Sequence, residues 1–262
     1  MNVPWEEVFV LNLRRSRDRW ADMRSKLGKM GMSARRLEGV DGSEMSVGLV
    51  RRDSTGMCAA FCTPATIGCF LSHRNAWRQI VKRDLSSALI LKDDAEFGPD
   101  FRDVIEAITL ELPDDFDMLL LGCFQFCNQD DSVTAFETGW ATVLSRGWPD
   151  RAVQFSEHLS IPGFTTGLHA YVLSRKGAEK LLDRFERASF HVDIALTLDR
   201  GDMRVYSANP PIVFQDQRVS VSQIAAKPPY LLNILFDRIP MNEQGTTFAY
   251  MMSEPAGQIP LI

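Results

Sequence analysis

Ala88-Leu89-Ile90-Leu91-Lys92-Asp93-Asp94-Ala95-Glu96-Phe97 is an apolar run cut off by two adjacent carboxylates, with a third acid two residues further on. An apolar run of this length, following a helix-like segment, predicts a buried strand of a parallel sheet. In open α/β sheets, ligands bind just beyond the carboxyl ends of the strands. Asp93 and Asp94 therefore stand where a divalent cation and, through it, a phosphorylated ligand can be held. Taken alone, the same letters also describe a strand followed by a polar loop with helix-capping acids.

The flanking segments favour the sheet. Upstream, residues 66–81 predict a helix, in which Ile67, Phe70, Leu71, Ala76, Trp77, Ile80 and Val81 form most of an apolar stripe. Ser72 and His73 interrupt that stripe, and His73 is placed to lie over the site made by the next strand or to serve a nearby polar group. Near the N-terminus, Val8-Phe9-Val10-Leu11-Asn12-Leu13 predicts a first strand. Ser16 suits a helix N-cap, although Arg19 stands where an acid would complete a capping box. Trp20, Met23 and Leu27 recur at helical spacing, and Gly28 and Gly31 close that helix. A weaker strand at residues 33–40 and an Asp41-Gly42 turn complete a β-α-β unit, the opening of a doubly wound sheet. Residues 43–66 have little periodicity and predict an irregular surface segment.

Downstream, Phe101, Val104, Ile105 and Ile108 predict a helix ended by Pro113, and residues 116–122 a further buried strand. Residues 123–164 mix Gly, Pro, Trp and acids and predict a long excursion with short strands. Residues 167–174 form a strand, Ser174 caps the next helix, and residues 191–198 open a short one. Residues 205–215 are an extended segment leading to an edge. The expected fold is α/β, a Rossmann-like, mostly parallel sheet flanked by helices, in one domain over residues 1–225. Residues 226–262, rich in proline, methionine and asparagine, are expected to pack on that domain or on a partner.

Composition excludes several classes. With 29 basic and 34 acidic residues the net charge is −5, so there is no broad basic footprint for nucleic acid. The early cluster Arg14, Arg15, Arg17, Arg19 and Arg24 suits either an anionic ligand, a membrane surface or a solvated helix face. No run reaches the length of a membrane span, and the first residues lack a basic region followed by an apolar one, so no secretory signal is expected. Five cysteines, an odd number in a chain that is not cysteine-dense, predict reduced thiols in a cytoplasmic protein. Cys58 and Cys62, like Cys123 and Cys127, are four apart, a spacing within the loose range for zinc. The apolar, aromatic setting of Gly122-Cys123-Phe124-Gln125-Phe126-Cys127 favours buried or loop thiols instead.

The ordered blocks carry a resemblance. Val8-Phe9-Val10-Leu11-Asn12-Leu13-Arg14-Arg15-Ser16-Arg17-Asp18-Arg19, Glu38-Gly39-Val40-Asp41-Gly42, Gly68-Cys69-Phe70-Leu71-Ser72-His73 and Leu89-Ile90-Leu91-Lys92-Asp93-Asp94 follow one another in sequence. After them come Gly167-Leu168-His169-Ala170-Tyr171-Val172-Leu173-Ser174-Arg175-Lys176-Gly177-Ala178, then Val192-Asp193 and Pro211-Ile212-Val213-Phe214-Gln215. Together they resemble the glycosyltransferase family 25 proteins, which include bacterial lipooligosaccharide galactosyltransferases and collagen galactosyltransferases. Each block alone is weak; the ordered set is specific.

The resemblance implies a GT-A type fold with a C-terminal acceptor-side part. It implies inverting transfer of a hexose, galactose or glucose, from a UDP-sugar to a glycan or glycoconjugate acceptor, as in lipopolysaccharide biosynthesis. The setting would be cytoplasmic, with peripheral contact at the inner membrane face allowed. Mn²⁺ or Mg²⁺ would neutralise the departing diphosphate. Asp94 is the expected metal ligand and Asp93 its support or a ribose contact. Asn12, Arg15, Arg19, Ser72 and His73 are the candidates for donor binding, because arginine forks match phosphate oxygens and strand-end polar groups reach a nucleotide. Asp193 is the candidate general base, with helix N-capping as its competing role. One departure stands out: Lys92 occupies the place of the family's first acid. It raises a rival reading, a nucleotide-sugar-binding module with impaired catalysis. A metal-dependent phosphohydrolase or nucleotidyltransferase on a similar sheet explains none of the ordered blocks.

Overall fold

The computed structural model describes residues 2–55, 58, 62–124, 127 and 152–216. The decisive stretch forms β3 (Ser87–Lys92), whose first five residues are buried. Its side chains alternate between two cores. Ala88 and Ile90 join one cluster, and Leu89 and Leu91 join the other, so the strand is apolar on both faces because both are covered. β1 (Glu7–Asn12) runs parallel beside it and β2 (Arg35–Glu38) runs parallel beyond β1.

On its other side β3 meets β8 (Thr166–Ser174), which is antiparallel both to it and to β5 (Met118–Phe124). β9 (Val205–Ala208) continues parallel to β5, and the short antiparallel β7 (Leu159–Ile161) and β6 (Val153–Gln154) finish the edge. The eight strands are ordered β2-β1-β3-β8-β5-β9-β7-β6. The expected helix-flanked α/β sheet is therefore present, parallel in its Rossmann-like first half and mixed beyond β3. A separate two-stranded antiparallel sheet joins β4 (Ala95–Phe97) to β10 (Val213–Gln215). The extended segment from residue 205 was expected to lead to an edge. Instead β9 lies inside the sheet, and β10 returns to the end of β3.

Helices cover the two faces separately. α3 (Pro64–Lys82), α5 (Arg175–Arg184) and α6 (Val192–Leu198) pack on one cluster, through Phe70, Trp77, Leu181 and Ala195. α1 (Arg17–Lys29) and α4 (Phe101–Glu111) pack on the other, through Met23, Leu27, Ile105 and Ile108. The caps follow local sequence. Thr63 caps α3 by accepting from the Thr66 N–H, and Pro64 occupies its first turn, where a missing N–H costs nothing. Ser174 caps α5 by accepting from the Gly177 N–H. Gly31 follows α1 at φ +70°, a left-handed conformation that glycine adopts without strain. The segment expected to be irregular contains a short 3-10 turn (Gly42–Glu44) and α2 (Val47–Asp53), whose Ser46 cap accepts from the Leu49 N–H.

The cysteines correct the sequence expectation of reduced thiols. Cys58 and Cys62, and Cys123 and Cys127, form disulfides, and only Cys69 is free among the described residues. The backbone brings each pair's Cα atoms to 4.7 and 6.0 Å, within bridging range, which spacing in sequence does not reveal. No described helix is long and apolar enough to cross a membrane. The expected extension at residues 226–262, and residues 125–126 and 128–151 of the excursion, lie outside the described residues.

Candidate functional site

The carboxyl ends of β1 and β3, the loop after β2, the first turns of α3 and the end of β10 enclose one cleft of about 130 Å³. Asn12, Arg15, Arg19, Ser72, His73, Asp93 and Asp94, all singled out from the sequence, line it together with Cys69, Lys92 and Gln215. Asp193 does not; it lines a separate, smaller cavity with Thr165, Gly167 and Arg200. Glu96 does not either, because Lys26 of α1 donates to it at 2.7 Å.

Asn12 holds the floor. Its Nδ2 donates to Asp93 Oδ2 at 2.5 Å and to the Ser16 carbonyl at 2.9 Å, while its Oδ1 accepts from Arg36 Nε at 2.8 Å. With both donors and its acceptor engaged, Asn12 acts as a positioning residue. Arg19 pairs with Asp93 Oδ2 at 3.3 Å and donates to Ser16 Oγ at 2.8 Å. Ser16 thus receives the arginine that stands in place of the capping-box acid, and makes no side-chain cap hydrogen bond. Arg15 is paired with Asp41, which also accepts from Ser43 N–H and Oγ.

The Gly68-to-His73 block has a physical reading. A Cβ on Gly68 would stand 2.5 Å from the Val40 carbonyl oxygen, so only glycine lets the loop after β2 lie directly on α3. One turn on, Ser72 Oγ donates to the Gly68 carbonyl at 2.7 Å and accepts from the Val40 N–H at 2.8 Å. Ser72 pins that loop, and its hydroxyl proton is committed to the Gly68 carbonyl. His73 stacks on Tyr171 of β8, and Trp77 Nε1 donates to the Tyr171 hydroxyl at 2.9 Å. The hydroxyl proton is then available to His73 Nδ1, 3.0 Å away, which leaves the His73 proton on Nε2. Burial, reinforced by the Lys92 charge, pushes the His73 pKa down to about 3, so the ring is a neutral donor.

Asp94 has the most unusual surroundings. Oδ2 accepts from Gln215 Nε2 at 2.7 Å and pairs with Lys92 Nζ at 3.4 Å; Oδ1 is buried with no hydrogen-bond partner. Gln215 is 121 residues away in sequence and is carried in by β10 pairing with β4. No signal in the sequence places Gln215 here, because the pairing that carries it is long-range. Burial opposes ionisation of Asp94, yet Lys92, Gln215 and His169 outweigh it and hold the carboxyl below its usual range. Burial opposes the Lys92 ammonium too, and Asp94, Cys69 and Asp93 outweigh it, raising its pKa. Asp93 goes the other way: burial raises it, and Arg19 and Asn12 only partly offset that. Two adjacent carboxyls are thereby driven apart in acidity.

His169 donates from Nε2 to the Val213 carbonyl at 3.1 Å, and its buried Nδ1 has no partner. Cys69, half-buried in the cleft wall near Lys92, Asp193 and Asp94, has its thiol pKa pushed up to about 11, chiefly by desolvation. Asp193 accepts from Gly167 N–H at 2.8 Å on one oxygen and from Ile194 N–H at 2.9 Å on the other. The expected N-cap role is corrected: His191 holds the N-cap position of α6, and Asp193 stands inside its first turn, where its carboxylate ties α6 to β8.

The sequence model of Glycosyltransferase family 25 (LPS biosynthesis protein) matches residues 5–196. The chain belongs to glycosyltransferase family 25. A probable inactive glycosyltransferase 25 family member 3 of Bos taurus is 29% identical over 189 residues, 68% of this chain and 29% of that protein. Procollagen galactosyltransferase 1 of Danio rerio is 24% identical over 236 residues, 80% and 36% of the two chains. Procollagen galactosyltransferase 2 of Homo sapiens is 25% identical over 192 residues, 68% and 27%. The chain thus spans between 27% and 36% of these curated relatives. Among solved structures, that of A197 from STIV overlaps with a TM-score of 0.36 at 14% identity, over 76% of this chain and 79% of that one.

The divalent metal implied by the glycosyltransferase family 25 resemblance fits this donor set poorly. Mg²⁺ and Mn²⁺ want several oxygen ligands, commonly one or two carboxylates plus substrate phosphates and water. Here one oxygen of each carboxylate is already paired with protein groups, Asp93 Oδ2 with Asn12 and Arg19 and Asp94 Oδ2 with Gln215 and Lys92, and the other oxygen of Asp94, Oδ1, is buried. A cation at that oxygen would sit close to the Lys92 ammonium. Two unit charges about 4 Å apart near a protein surface repel by about 4 kcal/mol, and a divalent ion doubles the term.

Proposed function

We propose that this family 25 member transfers a hexose, galactose or glucose, from a UDP-sugar to a hydroxyl of a glycan or glycoconjugate, with inversion at the anomeric carbon. The observation that carries the reading is the gathering of Arg15, Arg19 and Lys92 with Asp93 and Asp94 in one cleft beyond the strand ends. Cations in such a cleft suit a diphosphate, and carboxylates suit ribose or sugar hydroxyls. The names of the procollagen galactosyltransferase relatives point to the same sugar chemistry.

In the step itself, the acceptor oxygen forms a bond to the anomeric carbon as the bond from that carbon to the β-phosphate oxygen breaks. The bonding pair leaves on the diphosphate, and the acceptor proton passes to the base, for which Asp193 is the candidate. Charge developing on the leaving diphosphate is what the cleft's fixed cations and the His73 N–H would stabilise. A nucleotide-sugar-binding module without turnover is the second reading; Lys92 in place of an acid, and relatives named inactive, favour it.

A thermal-shift screen of nucleotide sugars tests the donor class. UDP-sugars at about 100 times their Kd should stabilise the protein by about 2.7 kcal/mol, whereas ADP- and GDP-sugars should not. Equal shifts from all nucleotides, or none from any, would reject a UDP-sugar site.

A further inference from the structure

Lys92 is the feature of this cleft that the family pattern does not supply. It ends β3, so the sheet fixes its backbone, and its side chain is 27% exposed where it lines the cleft. Its ammonium carries three N–H donors, and its ion-pair partner, Asp94 at 3.4 Å, uses one of them. The others are left for a ligand. A carboxylate at this position would need a bridging cation to meet a diphosphate; an ammonium meets it directly.

We propose that Lys92 is the built-in cation of the donor site, taking a diphosphate oxygen of the nucleotide sugar itself, so that donor binding and transfer run without a divalent metal. This rests on the UDP-sugar reading given above. Asp94 then holds the ammonium in place through Oδ2, which Gln215 also engages. In transfer, no atom is exchanged with Lys92. The electron pair released from the anomeric carbon stays on the diphosphate, whose added negative charge the ammonium balances while keeping its proton. Arg19, held by Asp93 and Ser16, lines the same cleft as a second fixed cation.

The test is UDP binding by calorimetry, in EDTA and in excess MnCl₂, on the wild type, Lys92→Met and Lys92→Glu, with the ligand-free Tm of each confirming that it is folded. The wild-type Kd should change by no more than about threefold between the two conditions. Lys92→Met should weaken binding by about tenfold or more in both. Lys92→Glu, which restores an acid, should bind UDP only with Mn²⁺. Wild-type binding that requires Mn²⁺ would overturn the inference and leave the UDP-sugar reading intact. Unchanged binding by Lys92→Met would equally overturn it, by assigning the phosphate to other cations. Absence of UDP binding by the wild type under both conditions would sink the UDP-sugar reading, and the inference with it.

Discussion

Asp93 and Asp94 are neighbours in sequence with opposite environments, and that contrast organises the chemistry of the cleft. Asp93 is wedged between Asn12 and Arg19, whereas Asp94 faces Lys92 and Gln215. Asp94→Asn should therefore weaken UDP-sugar binding by about tenfold or more, because it releases the ammonium as well as removing an acceptor. A donor titration checks it. Asp193→Asn separates two roles. If Asp193 is the base, kcat falls by about 10²- to 10⁴-fold with the donor KM nearly unchanged; if it only ties α6 to β8, kcat holds while Tm falls.

His73 makes a prediction about acid stability. Its folded pKa, near 3, lies below its unfolded value of about 6.5. Between those pH values the unfolded chain binds a proton that the folded chain refuses, so stability is full above about pH 6.5 and is lost as pH falls toward 3. The slope is up to about 1.4 kcal/mol per pH unit from this residue. Urea melts from pH 7 to pH 4 should show a shallower loss for His73→Gln than for the wild type. His169 and His191, also lowered chiefly by burial, keep some slope in the variant.

At the scale of elements, the site depends on how α3 carries the loop after β2. Gly68→Ala puts a Cβ 2.5 Å from the Val40 oxygen and 2.8 Å from the Gly42 nitrogen, both backbone atoms that cannot simply rotate away. A loss of about 1–3 kcal/mol is expected. Ser72→Ala removes the acceptor of the Val40 N–H and should cost a similar amount, about 1–3 kcal/mol. Both variants should lose UDP affinity, since that loop is one wall of the cleft; denaturant midpoints and a UDP titration measure the two effects. The Gly68-to-His73 helix was legible because its apolar stripe and its glycine, serine and histidine stand in one continuous segment. α2 was not, because residues 47–53 bury no side chain and so leave no periodic apolar mark.

The molecule as a whole is a sheet whose first half was readable and whose second half was less so. β1, β3 and β8 are written as apolar runs because helices cover both faces. Direction is not written in such a run: nothing in residues 166–174 says that β8 lies antiparallel between β3 and β5. Long-range meetings are equally silent. Gln215 reaches Asp94, and Tyr171 reaches His73 and Trp77, only once β10 and β8 are placed. The disulfides belong to the same class, set by backbone approach and invisible in spacing. What was legible in the cleft was its chemistry: Asn12, Arg15, Arg19, Ser72, His73, Asp93 and Asp94 do line it, whereas Asp193 lines a separate cavity.

A cleft that transfers a sugar from UDP shows itself in its products. Incubating the protein with UDP-galactose or UDP-glucose, with and without a panel of glycan acceptors, and following phosphorus species by NMR distinguishes the outcomes. UDP should appear in equal amount with transferred or freed hexose, with a marked loss of that signal in Asp94→Asn. Release of UMP or inorganic phosphate from the donor, or an intact donor in every mixture, would rule out transfer from a UDP-sugar.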